Sequence, residues 1–242
     1  MNRAIEEVLH NPLPGAPKPI AFSVLRIPFF LEPNYDENKV FVETNRQRLI
    51  QKWGGKAGWE HQKHRHDLKG RGLEAGIPFF NLDRKASSTM ASHRLIQHLG
   101  KTYGLAVSEA VYDKLNEYYF VDGHSLNDKP RLARVVCDLL KVMLVKNAPS
   151  EVDVLNFLNG DEGREEIVNV IHALNQLGIS GIPKFIIEGK TMVDGAARSD
   201  TFVQIFREIE KRGGVHSGPI FNDVLGVSDE TIQTPSHSLS NE

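Results

Sequence analysis

The sequence predicts an α/β fold in which a small strand-bearing core is interrupted by a long helical block. Three observations predict it. Residues 20–27 carry apolar side chains on both parities of an extended chain. Residues 36–160 follow a helical rhythm, and residues 182–193 read as a β-hairpin leading into a last amphipathic helix. A strand separated from its hairpin partners by helices implies a core that carries an inserted domain.

Ile5, Val8 and Leu9 share a face at spacings of three and four, which predicts a helix over residues 3–10. Asn11-Pro12-Leu13-Pro14-Gly15 stops it. Ile20, Phe22 and Val24 then alternate with Ala21, Leu25 and Ile27, a pattern suited to a central strand covered on both faces, ended by Pro28 and Pro33. In the helical block, Leu132, Val135, Val136, Leu139, Leu140, Met143 and Leu144 mark the clearest helix. Ala91, Leu95 and Leu99 give a second stripe, and Val111, Leu115 and Tyr118 a third. The polar, glycine-rich stretch from Trp53 to Gly76 predicts a loop followed by an exposed helix. Ile167, Ile171 and Leu174 mark a later helix that ends at Gly178.

Ile182 to Ile187 predicts a short strand, Glu188-Gly189 a turn, and Lys190 to Val193 a second strand. Phe202, Ile205, Phe206 and Ile209 form the last helix, with Ser199 or Asp200 as its N-cap and Gly213-Gly214 after it. Residues beyond 216 are polar and aperiodic and predict a flexible tail. The expected organisation is a core of residues 1–35 and 160–215, a helical insertion of residues 36–159, and a tail of residues 216–242.

Composition narrows the function classes. With 40% hydrophobic and 25% charged residues the chain can build an ordinary core, and a net charge of -2 offers no basic footprint for nucleic acid. The single cysteine, Cys137, allows no disulfide within the chain and points to a reducing, cytoplasmic setting. Acids stand where a signal peptide would carry its apolar stretch, and no apolar run approaches the roughly 18 residues of a membrane span.

The most specific stretch is Ser180-Gly181-Ile182-Pro183-Lys184-Phe185-Ile186-Ile187-Glu188-Gly189-Lys190. It resembles the signature of the DsbA-like thioredoxin-fold family, in which a glycine-hydrophobic-proline step precedes an edge hairpin. Taken alone, Pro183 equally suits the first residue of a strand. Ser88-Thr89-Met90-Ala91-Ser92-His93-Arg94-Leu95 is similar to the segment that opens that family's inserted helical domain, with a serine where an alanine is usual. Leu115 to Gly123, Ser125 to Leu132, and Asp194-Gly195-Ala196 also match in order and spacing. Within the family the chain resembles the FrnE-like branch, related to kappa-class glutathione transferases and 2-hydroxychromene-2-carboxylate isomerases.

This resemblance implies a thioredoxin fold interrupted by an all-helical insertion domain. It implies a cis peptide before Pro183, since only an X–Pro bond reaches cis for about 0.5–1 kcal/mol. The main chain of Gly181, Ile182 and Pro183 would then receive a disulfide-containing peptide or glutathione, the latter as co-substrate. Lys184 would meet a glutathione carboxylate or stand solvated. His93, with Arg94, would contact substrate or serve the helix. The family's working part is a Cys-Pro-Trp-Cys helix start, whose first thiolate attacks a disulfide and whose second cysteine resolves the intermediate. This chain carries no such pair. Asn2-Arg3-Ala4-Ile5 resembles the helix just downstream of that motif. The first strand and the cysteine pair are therefore expected upstream of Met1, the chain being either shortened or a pseudo-enzyme.

The expected function is that of a thiol–disulfide oxidoreductase family protein inactive in dithiol exchange as it stands. The alternatives are a glutathione- or peptide-binding pseudo-enzyme, or a kappa-like glutathione transferase. Cys137 lies beside the apolar stripe of a helix, as a small buried hydrophobe would. His61, His64 and His66 lack further ligands in a zinc pattern and read as a solvated helix face, so no metal is expected. Trp53 and Trp59 either anchor their loop or line a peptide groove.

Overall fold

The computed structural model describes residues 1–74, 76–77 and 79–239, and only the backbone at Leu68. In chain order the helices are α1 (Asn2–His10), α2 (Asn45–Lys52), α3 (Lys56–His66), α4 (Leu68–Glu74), α5 (Met90–Tyr103), α6 (Leu105–Asn116), α7 (Lys129–Val142), α8 (Glu151–Asn159), α9 (Arg164–Gln176), α10 (Ser199–Arg212) and α11 (Asp229–Gln233). A π-helical turn, Glu117–Val121, follows α6. The strands β1 (Lys184–Ile187) and β2 (Thr191–Asp194) pair antiparallel, Phe185 opposite Val193 and Ile187 opposite Thr191. Among the described residues no helix is long and apolar enough to cross a membrane.

The chain divides into two compact units. The first comprises Met1–Leu31, Ile96–Glu109 and Glu162–Glu242, the second Glu32–Leu95 and Ala110–Asp161.

In the first unit the hairpin is covered on both faces. Successive side chains of a strand point to opposite sides. Phe185, Ile187 and Val193 pack against Ala4, Ile5, Val8 and Leu9 of α1 and Phe202 and Phe206 of α10. Ile186 packs the other way, against Val170 and Leu174 of α9 with Ile179, Phe221, Leu225 and Val227. Phe185 meets Phe202 edge to face, ring centroids 4.8 Å apart. The turn puts Glu188 and Gly189 at φ 48° and 66°. Gly189 is required twice: L side chains rarely adopt that φ, and a Cβ there would collide with the carbonyl of Gly218.

Residues 20–27 have the expected two-faced pattern without the expected strand. Ile20, Phe22 and Val24 join the α1–α10 layer, while Leu25 and Ile27 join the α9 layer. The segment forms one antiparallel bridge, Phe22 with His237, and no ladder. Two of its other main-chain groups are met by side chains: the Val24 N–H donates to Ser236 Oγ at 3.0 Å, and Gln97 Nε2 donates to the Arg26 carbonyl at 2.6 Å. Burial of both faces needs an extended chain; a sheet also needs a neighbouring chain in register, and periodicity does not report that.

Three further expectations are corrected. The tail packs over residues 221–227, with Phe221, Leu225 and Val227 at 4%, 0% and 4% exposure, and its later part is held to Phe22 and Val24 by hydrogen bonds from residues 236–237; residues 240–242 lie outside the described residues. Phe221, Val224 and Leu225 stand three and four apart for one turn only, which Gly226 ends, and together with Val227 they fill the layer beneath Ile186. The helical block is likewise not continuous, since residues 96–109 belong to the first unit. Gln97 and Glu109 fasten them to Arg26, whose Nε and Nη2 both donate to the Glu109 carboxylate, at 2.5 and 2.9 Å. At α10 the N-cap is Arg198, with Ser199 and Asp200 inside the first turn.

The second unit is helical. Asp128 caps α7 by accepting from the Arg131 N–H, and Ser150 and Asp153 form a capping box on α8. The stretch from Trp53 to Gly76, expected as a loop and one helix, holds α3 and α4 after a tight turn. Trp53 and Trp59 stack with centroids 5.6 Å apart, and Trp59 is buried, so this pair anchors its own segment. His66 stacks on Trp53 from the same helix face.

A direct check of the packed C-terminal segment is Leu225→Ala. Emptying a fully buried leucine site is expected to cost about 2–5 kcal/mol in chemical unfolding, whereas the same change in a loose tail would leave the midpoint where it was.

Candidate functional site

Residues 180–183 form an exposed bracket held at both ends. On one side Ile179 is buried in the α9 layer and its N–H donates to the Leu174 carbonyl at 2.9 Å. On the other, the Pro183 carbonyl accepts from the Gly195 N–H at 2.9 Å, which extends the hairpin by one pair. Between these anchors Ser180, Gly181, Ile182 and Pro183 face solvent, and Ile182 is half exposed at 51%. A side chain added at Gly181 would meet open space. The Ile182–Pro183 peptide is cis.

Among the described residues, the N–H and C=O of Ile182 have no main-chain or side-chain partner. An exposed, unpaired peptide at the start of a strand is a ready acceptor for an extended ligand, which can add main-chain bonds to it without displacing any.

Lys184, the next residue, is engaged. Its Nζ lies 2.5 Å from Asp194 Oδ1, directly across the hairpin. Its side chain is mostly covered, at 18% exposure, while that of Asp194 is open. The carboxylate that Lys184 meets is thus its own cross-strand neighbour. The sequence names Asp194 only within the Asp194-Gly195-Ala196 match and not as the partner of Lys184, although the hairpin register that places it there follows from a turn at Glu188-Gly189. That turn is itself tied down: the buried Glu188 carboxylate accepts from Arg212 and from the His216 N–H, and the Glu188 carbonyl accepts from Ser217 Oγ at 2.7 Å.

Gly181, Ile182, Pro183 and Lys184 come together in the first unit; His93 belongs to α5 in the second. There the His93 side chain is partly exposed, and Arg94 beside it is buried, donating to the Phe157 carbonyl at 3.1 Å and lying over the Phe157 ring. Arg94 is therefore a positioning residue for α5 and α8.

Cys137 sits on the buried face of α7 at 2% exposure, its Sγ 3.5 Å from the Pro149 carbonyl. Burial pushes its thiol pKa up, with the Glu151 carboxylate adding to the effect. Burial also pushes up the Tyr118 phenol, which donates to the Ser125 carbonyl at 3.1 Å. A thiol nucleophile needs the opposite environment. His61, His64 and His66 do not assemble a site: among the described residues no group of three or more His, Cys, Asp or Glu is placed to hold a metal ion.

Comparison with known proteins gives a consistent result. The family model of the DSBA-like thioredoxin domain matches residues 60–207. The crystal structure of a "probable DsbA oxidoreductase" from Streptomyces coelicolor is similar in fold, with a TM-score of 0.67 and 23% identity over 86% of this chain and 82% of that one. No curated protein matches.

Two outcomes are expected from this geometry. Asp194→Asn removes a partly exposed pair and should cost about 0.2–1 kcal/mol, less at high salt; a larger loss would mean that Lys184 is more deeply confined than its contacts indicate. For the buried acids the sign is set by linkage. The folded chain keeps the Cys137 and Tyr118 protons at pH values where the unfolded chain has released them. Their contribution to stability is complete below the ordinary thiol pKa and falls as pH rises above it. Urea midpoints measured from neutral pH to about pH 10 should decline for the parent chain and decline less for Cys137→Ala combined with Tyr118→Phe.

Proposed function

Because the chain belongs to the DSBA-like thioredoxin domain family, a family of thiol–disulfide oxidoreductases, we propose that it docks an extended peptide or glutathione along the main chain of Ile182 without itself turning over disulfides. The single observation that carries this reading is the unpaired, exposed peptide of Ile182, set between Gly181, which leaves open space, and Pro183, whose carbonyl is already taken. A ligand in extended conformation supplies the missing acceptor and donor, and both a cysteine-containing peptide and the tripeptide glutathione present such groups.

Redox turnover asks for more. Exchange needs a thiolate to attack and a second thiol to resolve the mixed disulfide. The chain holds one thiol, Cys137, buried within α7 with its pKa raised. On this reading the site recognises a sulfur-bearing ligand by its backbone and leaves the sulfur chemistry undone. The FrnE-like branch is the part of the family that the segments at residues 88–95 and 180–190 fit, and the single thiol suits a reducing, cytoplasmic setting.

Titration with oxidised glutathione and with an extended peptide containing a disulfide tests the reading. The amide signals of Gly181, Ile182 and Lys184 should shift together. Ile182→Pro, which removes the N–H donor, should weaken binding about five- to tenfold, as befits one main-chain hydrogen bond of ~1–1.5 kcal/mol. Reduction of insulin disulfides by this chain should stay at the uncatalysed rate. Measurable turnover, or shifts centred elsewhere, would sink the proposal.

A further inference from the structure

The segment at residues 20–27 supports a second binding surface, independent of the Ile182 site. Its side chains are committed to two apolar layers, Ile20, Phe22 and Val24 to one and Leu25 and Ile27 to the other. That commitment fixes an extended backbone whose edge groups need partners. The partners come from a short stretch of the chain's own C-terminal segment. The Phe22 N–H donates to the His237 carbonyl at 2.9 Å, and the His237 N–H donates back to the Phe22 carbonyl at 3.0 Å. Ser236 Oγ accepts from the Val24 N–H at 3.0 Å and donates to the Phe22 carbonyl at 3.2 Å. Ser23 Oγ donates to the Ile232 carbonyl at 2.6 Å.

What holds this stretch is almost entirely hydrogen bonding to main chain. Residues 233–235 and 238–239 are exposed, α11 buries no side chain, and Ile232 alone adds partly buried apolar contact to the α9 layer. The receiving side is anchored by side chains; the donated side is anchored by peptide groups that any extended chain carries. A segment with few buried apolar contacts also opens more readily than the core around it.

We infer that residues 20–24 are a strand-acceptor site and that residues 235–238 are its built-in ligand: a short antiparallel peptide, with a hydroxyl-bearing residue next to the bridging one, that an equivalent peptide in trans can replace. The ligand class is an extended peptide read through its backbone, as in β-strand addition. The intramolecular occupant keeps the edge closed by high effective concentration, not by specific side-chain burial.

The test uses the full chain and amide hydrogen exchange. In the unmodified protein the Phe22 and Val24 amides should be protected about a hundredfold over unfolded rates, yet exchange faster than the hydrogen-bonded Ile179 and Leu225 amides of the core. Combining Ser236→Ala with His237→Pro deletes the hydroxyl and one of the two bridging donors. It should strip protection from Val24, whose acceptor is the Ser236 hydroxyl, and lower that of Phe22, whose acceptor on His237 loses its reciprocal bond, while the core amides keep theirs. Adding a synthetic peptide of residues 228–239 with the original sequence should then restore it. The inference is overturned if the two amides are unprotected in the parent chain, if they exchange only together with the core, if the double variant leaves them protected, or if the peptide in trans restores nothing. The comparison within the parent chain decides the matter even where the double variant folds poorly. None of these readouts depends on whether Ile182 binds glutathione or peptide, so failure here leaves that reading untouched.

Discussion

The constraint on which the first unit depends is that an extended chain with apolar side chains on both parities must be covered from both sides. The hairpin meets it with Phe185, Ile187 and Val193 against α1 and α10, and Ile186 against α9 and the C-terminal segment. Residues 20–27 meet it with the same two layers. Neither layer is optional, because leaving either open would return large aliphatic and aromatic surface to water. The sandwich explains why residues distant in sequence converge. Residues near the N-terminus supply α1, the stretch after the helical unit supplies α9 and the hairpin, and the C-terminal stretch completes the second face.

That convergence positions the site. Ile179 is pinned in one layer, and Lys184 begins a strand whose partner is Asp194. The four residues between are exposed, and the Ile182 peptide is left unpaired while the Pro183 carbonyl is taken by Gly195. The exposed Ile182 peptide is thus a by-product of firm anchoring on either side. A recognition surface of this kind costs the ligand little ordering of the protein, which favours binding through main-chain bonds alone. The contrast with Cys137 is chemical as well as spatial. The chain's one sulfhydryl is kept protonated inside a helical unit, while its exposed peptide carries no sulfur chemistry of its own.

Much of this was legible in the residues. The three-four stripes at 5–9, 91–99 and 167–174 became α1, α5 and α9, the stripe at 132–144 became α7 as far as Val142 with Leu144 left exposed, and Glu188-Gly189 became the hairpin turn. The bracket at Gly181, Ile182, Pro183 and Lys184 was named through its resemblance to the family's glycine-hydrophobic-proline step, since Pro183 by itself equally suits the first residue of a strand. The parities of residues 20–27 were read correctly as two buried faces, while their pairing was not, since pairing depends on which chain arrives alongside. The engagement of Lys184 by Asp194, and the removal of residues 96–109 from the helical block through Arg26, Gln97 and Glu109, are likewise encounters between distant positions.

The C-terminal segment shows the limit most clearly. Phe221, Val224 and Leu225 keep a spacing of three and four for a single turn only, ended by Gly226, too short a run to mark them as core. By itself the sequence determined the helices with clear apolar stripes and the hairpin turn, because periodicity and turn preference operate between residues a few positions apart. Only the tertiary structure decided what lies beside residues 20–24, which cation is already paired, and whether the last residues pack. Those outcomes follow from free energies of burial and main-chain pairing between segments two hundred positions apart, and no local pattern of side chains carries that information.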